Sequence, residues 1–220
     1  MKKVFIFLFA GLSIFSSCKK ETENNSFITH YVDLQIKGDE IISQKVGTAF
    51  TDPGFTAIES GKDVSSNVKI DGQVDVNTCG TYYLTYKIAN ADGYEAKVTR
   101  TVCVNNPQTL EGAFVITSSR KSSSSFPGNY ITIKKTDEEG VYSVSCLIGG
   151  WYSQGRNYGK EFECPGHIKV AEDGTISLID GYLAYWDAEV TSLEGKFDKT
   201  AGTFSWTAVW NGFTFVIENM

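Results

Sequence analysis

What the 220-residue chain lacks narrows its class first. No stretch after Phe15 holds apolar residues at i, i+3, i+4 and i+7 for three turns, so a helical bundle is excluded. His30 and His167 are its only two histidines, which leaves a zinc site or a His-based triad little to draw on. There is no Gly-x-Ser-x-Gly elbow and no Gly-rich phosphate loop leading into a helix. Basic clusters are missing too. The 20 basic residues face 26 acidic ones, and without Lys2 and Lys3 the net charge falls from −6 to about −8. So acidic a chain, with no basic face, is a poor partner for nucleic acid or anionic lipid headgroups. Neither a cofactor nor a metal is expected.

What is present is 21 Gly, 14 Phe, 11 Tyr and 4 Trp. Aromatic and β-branched residues separated by Gly, Asn and Asp are the composition of many short strands. The expected fold class is all-β.

At the start, Lys2 and Lys3 precede the apolar run Val4–Phe15 and the small residues Ser16 and Ser17, ending at Cys18. That run is too short to span a hydrocarbon core of ~30 Å as a helix, so it reads as a secretory signal. Phe15-Ser16-Ser17-Cys18 resembles a bacterial lipobox. The resemblance implies acylation of Cys18, attachment to the membrane through it, and residence at the outer membrane or cell surface. Residues 1–18 then form the signal and its lipobox cysteine, and polar residues 19–25 form a tether. The charges just after Cys18 are similar to the export signals of Bacteroidota surface lipoproteins. Export would also let disulfides persist among Cys79, Cys103, Cys146 and Cys164.

Residues 26–105 carry alternating strands. Val32, Leu34 and Ile36 share one face, Tyr82, Leu84, Tyr86 and Ile88 another, and Ala96, Val98, Val102 and Val104 a third. A hairpin turn centred near residues 91–92 sets Cys79 opposite Cys103, which makes Cys79–Cys103 the expected disulfide. Thr51-Asp52-Pro53-Gly54-Phe55, Gly61-Lys62-Asp63-Val64, Cys79-Gly80-Thr81-Tyr82 and Thr99-Arg100-Thr101-Val102 follow in order. They resemble the landmarks of bacterial Ig-like surface domains related to hyalin repeats. The resemblance implies an Ig-like β-sandwich serving as spacer or adhesive module, without catalytic residues.

Polar, Pro-containing residues 105–108 mark a boundary, and residues 109–220 a second antiparallel β domain. Residues 118–129 read as a long polar loop. Cys146 and Cys164 lie on apolar faces, where a buried bond and two packed thiols fit equally well. Asn211-Gly212 is a type I′ turn signal that pairs Trp210 with Phe213, Ala208 with Phe215 and Trp206 with Ile217. Roughly eight strands close naturally as a small barrel or a second sandwich. The Gly150–Gly159 run, Glu172–Ile176 and the Trp206–Phe215 hairpin resemble the C-terminal domain of a Bacteroidota lipoprotein family without assigned biochemistry.

Chemistry concentrates in two stretches. Residues 149–159 put Trp151, Tyr152, Arg156, Asn157 and Tyr158 in a Gly-rich loop, and Tyr182, Tyr185, Trp186 and Asp187 form a second group. Exposed rings beside planar polar donors suit sugars, whose CH groups stack while Arg and Asn bond the hydroxyls. The competing reading is packing, with the aromatics closing the end of the barrel. Asp180, Asp187 and Glu189 supply the one carboxylate set suited to glycoside cleavage, which needs a pair ~5–9.5 Å apart, but acidic strand positions are ordinarily solvated. The chain is therefore expected to be a non-enzymatic, lipid-anchored binder of a glycan or peptide. By family analogy it would serve outer-membrane uptake proteins. A structural or adhesion protein without a small ligand is the alternative.

Overall fold

A computed structural model describes residues 28–219. The signal segment, Cys18 and the tether lie outside the described residues.

The chain folds as an all-β protein with two cores. In the first, β1 (Asp33–Ile36), β3 (Phe55–Glu59) and β4 (Lys62–Asp63) form a small sheet. It packs on β2 (Ile41–Lys45), β5 (Lys69–Asp71), β6 (Gly80–Ala89) and β7 (Glu95–Asn106). Val32, Leu34, Ala57, Leu84, Tyr86 and Ile88 are buried between the two layers. The alternation expected for β1 and β6 sits on the inner face, as the period of two requires.

The second core belongs to β8 (Glu111–Arg120), β9 (Ser125–Lys135), β10 (Val141–Val144), β11 (Gly166–Val170), β12 (Thr175–Leu183), β13 (Ala188–Asp198), β14 (Thr203–Trp210) and β15 (Phe213–Asn219). Each pairs antiparallel with the next, and β15 pairs back onto β8, so the eight strands close as a barrel. The Asn211-Gly212 hairpin adopts the expected register in all three pairs. Asn211 (φ 48°) and Gly212 (φ 74°) supply the two positive dihedrals that a type I′ turn demands.

Three local expectations are corrected. At the expected boundary, residues 105 and 106 are strand and not irregular chain. They extend β7 and pair with Gly112 and Glu111 of β8, and the Asn105 side chain is buried, donating to the Ala113 carbonyl at 3.0 Å. At Gly112 (φ 120°) an added Cβ would lie 2.4 Å from the Val104 carbonyl oxygen, so the crossing is possible only without a side chain. Residues 118–129 are no long loop either. β8 runs to Arg120 and β9 starts at Ser125, with Ser119 facing Ser125 and their hydroxyls 2.8 Å apart.

The third correction concerns the disulfide. Asn90 braces the β6–β7 turn through its Oδ1, which accepts from the Asp92 and Tyr94 amides. This turn is centred on residue 92, so Cys103 faces Thr81. Cys79 precedes the strand, and Cys103 is buried. Cys79, Cys103, Cys146 and Cys164 are all free thiols. The last pair follows the packed-thiol reading: Cys146 Sγ accepts from the amides of Cys164 (3.3 Å) and Gly150 (3.2 Å).

Candidate functional site

The barrel does not close on its strand side chains alone. After β10 the chain turns inward, and Cys146, Leu147, Ile148, Gly149, Gly150, Trp151 and Tyr152 are all buried. An inserted segment must satisfy its backbone without water. Trp206 Nε1 donates to the Leu147 carbonyl (2.8 Å), Ser118 Oγ to that of Ile148 (2.9 Å) and Asn129 Nδ2 to that of Gly149 (2.9 Å). These three side chains from β14, β8 and β9 hold the plug in the lumen. Gly149 (φ 63°) and Gly150 (φ 65°) make the left-handed bend. A Cβ on Gly149 would meet Ile217, Ile116 and Ser118, all within 2.9 Å. The segment leaves through a π-helical turn, Trp151–Gly155, in which Gly155 N donates to the Gly150 carbonyl at 3.0 Å and Arg156 N to that of Trp151 at 3.0 Å.

Of the two readings of residues 149–159, packing holds for the first half. Trp151 is 1% exposed and Tyr152 is buried beside it. Both pack against Phe215, and their own ring centroids are 4.7 Å apart. The second half emerges. Arg156, Asn157 and Tyr158 are exposed.

The emergent half meets the second sequence group. The short helical turns Lys160–Phe162 and Ala184–Trp186 lie at the same barrel end as the π-helical turn. Phe162 packs on Tyr185 (centroids 4.1 Å), Trp186 (4.9 Å) and Tyr158 (5.2 Å). Trp186 also leans on Tyr152 (4.7 Å) and Trp210 (5.4 Å), which roots the cluster in the core. Tyr185 is 60% exposed, Tyr158 50% and Trp186 37%. Exposed aromatic surface gathered at one place marks an interaction site more often than scattered rings do. Two sequence-distant groups form one patch.

Beside the patch lies a groove of about 820 Å³, lined by Lys160, Glu161, Glu163, Asp180, Tyr182 and Glu189 among others. Its charge is mostly negative. Burial pushes the Glu163 carboxyl above the usual glutamate range, with Lys160 opposing the shift. Asp180 accepts from the His167 amide (3.1 Å) and its Oδ1 lies 2.9 Å from His167 Nδ1. Asp187, in the left-handed region (φ 49°), accepts the Tyr182 hydroxyl. Of the carboxylates considered for glycoside cleavage, these two are engaged by neighbours and Glu189 lines the groove. Glu163 was absent from the sequence reading. Its only signal was its place between Phe162 and Cys164.

The patch and groove lie at the barrel end where β8 stops and β9 starts. The chain enters from the first core at the other end, where β7 passes into β8. The Ig-like half also reaches along the outer wall of β9, where the Tyr83 and Tyr130 hydroxyls lie 3.3 Å apart.

The chain thus joins an Ig-like sandwich to a plugged eight-stranded barrel. A bacterial surface protein Ig-like domain model matches residues 34–104, and a C-terminal domain family model matches residues 104–219. The lipoprotein BT2262 from Bacteroides thetaiotaomicron is 32% identical, with a TM-score of 0.62 over 86% of this chain and 100% of its own. The chain belongs to the family of that lipoprotein. Two structures of Clostridium perfringens ZmpB follow at 13% and 12% identity, each with a TM-score of 0.30. They cover 86% and 87% of this chain and 43% and 21% of their own. No curated protein matches.

Proposed function

We propose that the protein is a surface binding module, anchored through an acylated Cys18 at the outer membrane or cell surface, whose barrel end opposite the β7–β8 crossing recognises a glycan. The observation that carries this reading is the cluster of Tyr158, Tyr185 and Trp186. These rings are exposed, yet Phe162, Tyr152 and Trp210 fix their positions. A sugar ring stacks its CH face on such aromatics, and its hydroxyls donate to carboxylates such as Glu189 and Glu161 in the adjoining groove. Rigid rings lose little entropy on binding.

Binding without cleavage suits the carboxylates better. Asp180 and Asp187 are held by His167 and Tyr182. Delivery of the bound sugar to an outer-membrane uptake partner is the role a module of this kind would serve. A glycan-array screen of the purified protein beside its Tyr185→Ala variant tests the reading. A hit that the folded variant loses supports it, and an array without hits counts against it.

A further inference from the structure

At the same barrel end, away from the acidic groove's lining, two arginines are built into an aromatic ladder. The Arg120 guanidinium carbon lies 4.6 Å from the Trp151 ring centroid and 4.7 Å from that of Phe213. The Arg156 carbon lies 4.6 Å from Trp151 and 5.6 Å from Phe126. Each guanidinium therefore contacts two rings, and both share Trp151. Stacking occupies the faces of a guanidinium and leaves its N–H edges free, the geometry in which arginine reads planar anions. It also fixes two long side chains before any ligand arrives.

Their charge is left over. Neither arginine forms an ion pair with a carboxylate among the described residues. Arg120 has only weak contacts, to the Tyr152 hydroxyl (3.4 Å) and Ser123 Oγ (3.3 Å). Two guanidiniums that share one ring repel, and no carboxylate among the described residues offsets either charge. Since each carbon is 4.6 Å from the same centroid, the pair is at most about 9 Å apart. At that limit the indole lies between them, so one carboxylate or sulfate accepting hydrogen bonds of about 2.8 Å from both reaches them round the rim of the Trp151 ring. Tyr152, which touches both Arg120 and the Trp186 ring, joins this corner to the aromatic patch.

We propose that the Arg120–Trp151–Arg156 ladder is an anion-recognition corner that takes the carboxylate or sulfate group of an acidic glycan lying across the patch. The choice of a glycan rests on the binding function proposed above, whereas the anion site stands on the ladder itself. The expected ligand carries isolated acidic groups on a sugar backbone, because the groove beside the patch would repel a densely charged polyanion.

Two arms test the corner. The first titrates the purified protein with inorganic sulfate at constant ionic strength and follows the Nε–H resonances of Arg120 and Arg156. Saturable shifts at both, abolished at Arg120 by Arg156→Gln, support it. Shifts that stay linear overturn it, whatever becomes of the glycan reading. The second arm compares trigalacturonate with its methyl ester, and a sulfated galactan oligosaccharide with its desulfated form. One charged member should bind about tenfold tighter than its neutral partner, and the pair that shows this identifies the group. Arg156→Lys should lose most of the preference, because a lysine keeps the charge without the fork. Equal binding within both pairs, or none, overturns the corner. In the first case the neutral-glycan reading stands.

Discussion

Trp206 and Leu147 are 59 residues apart in the chain and joined inside the barrel, where the indole Nε1 donates to the Leu147 carbonyl at 2.8 Å. Both residues are buried, so neither group has water as a substitute. This bond, with those from Ser118 and Asn129, is why a glycine-rich segment can fill a barrel that strand side chains leave open. Trp206→Phe keeps most of the ring and removes the donor. It should cost about 1–3 kcal/mol, the penalty for an orphaned buried acceptor, measured as a lower denaturation midpoint.

The Ig-like half depends on a different polar group. Arg100 is fully buried; it donates to the Lys37 (2.7 Å), Gly54 (3.0 Å) and Asp39 carbonyls, and its Nε lies 3.1 Å from Asp52 Oδ1. The Tyr86 hydroxyl donates to the other Asp52 oxygen at 2.6 Å. Asp52→Asn leaves the guanidinium buried without its counter-charge and should destabilise by roughly 3–5 kcal/mol. Tyr86→Phe should cost only about 1 kcal/mol. Equal effects of the two in chemical denaturation would contradict the arrangement.

Two carboxylates act on stability with opposite signs. Burial raises the Glu163 pKa, so the folded state resists ionising it. Its contribution is fully present below the ordinary glutamate value and is lost as pH rises through the folded value. Glu163→Gln should therefore raise the melting temperature at neutral pH and flatten its decline above the ordinary glutamate range. Asp173 is held down to about 2, chiefly by the Thr175 amide, then by its hydroxyl and by Lys196. Its contribution is present above about pH 4 and fades toward pH 2, so Asp173→Asn should matter at neutral pH and not at the acid end.

The four described cysteines should differ sharply in reactivity. Burial pushes Cys103 up to about 12 and Cys146 up to about 11, and raises Cys164 further. Cys79 is half-buried and shifted less. A thiol reagent at mild alkaline pH should label Cys79 well before the other three, read by peptide mapping. Protection of Cys79 and Cys103 together would instead indicate the bond that the β6–β7 register rules against.

Much of this was legible in the residues. Period-two alternation located the inner faces of β1 and β6, and Asn211-Gly212 fixed a register because two positive dihedrals admit few sequences. The β6–β7 register was not legible, since it turns on which residues Asn90 caps, and a small shift of the turn separates Cys79 from Cys103. Nor was the plug. Glycines allow a loop to bend inward or outward alike, and what decides is the placement of Ser118, Asn129 and Trp206 on strands far along the chain. The inward polar positions on β8 and β9 were the available signal, and they read as loop because their neighbours are serines. Of the candidate site, Tyr158, Tyr185 and Trp186 were anticipated as two separate groups, while their meeting on Phe162 is a product of the barrel.

The central claim is that the barrel end divides into packing and ligand-facing aromatics, and one paired measurement tests it. Trp151→Ala and Tyr185→Ala are each measured for unfolding free energy and, by calorimetry, for affinity toward a glycan bound by the wild type. Trp151→Ala should lose about 3–5 kcal/mol of stability as a core truncation. Tyr185→Ala should keep the wild-type stability within about 0.5 kcal/mol and lose about tenfold in affinity. If Tyr185→Ala binds as tightly as the wild type while Trp151→Ala stays folded and loses binding, the assignment of the two rings is reversed and the account fails.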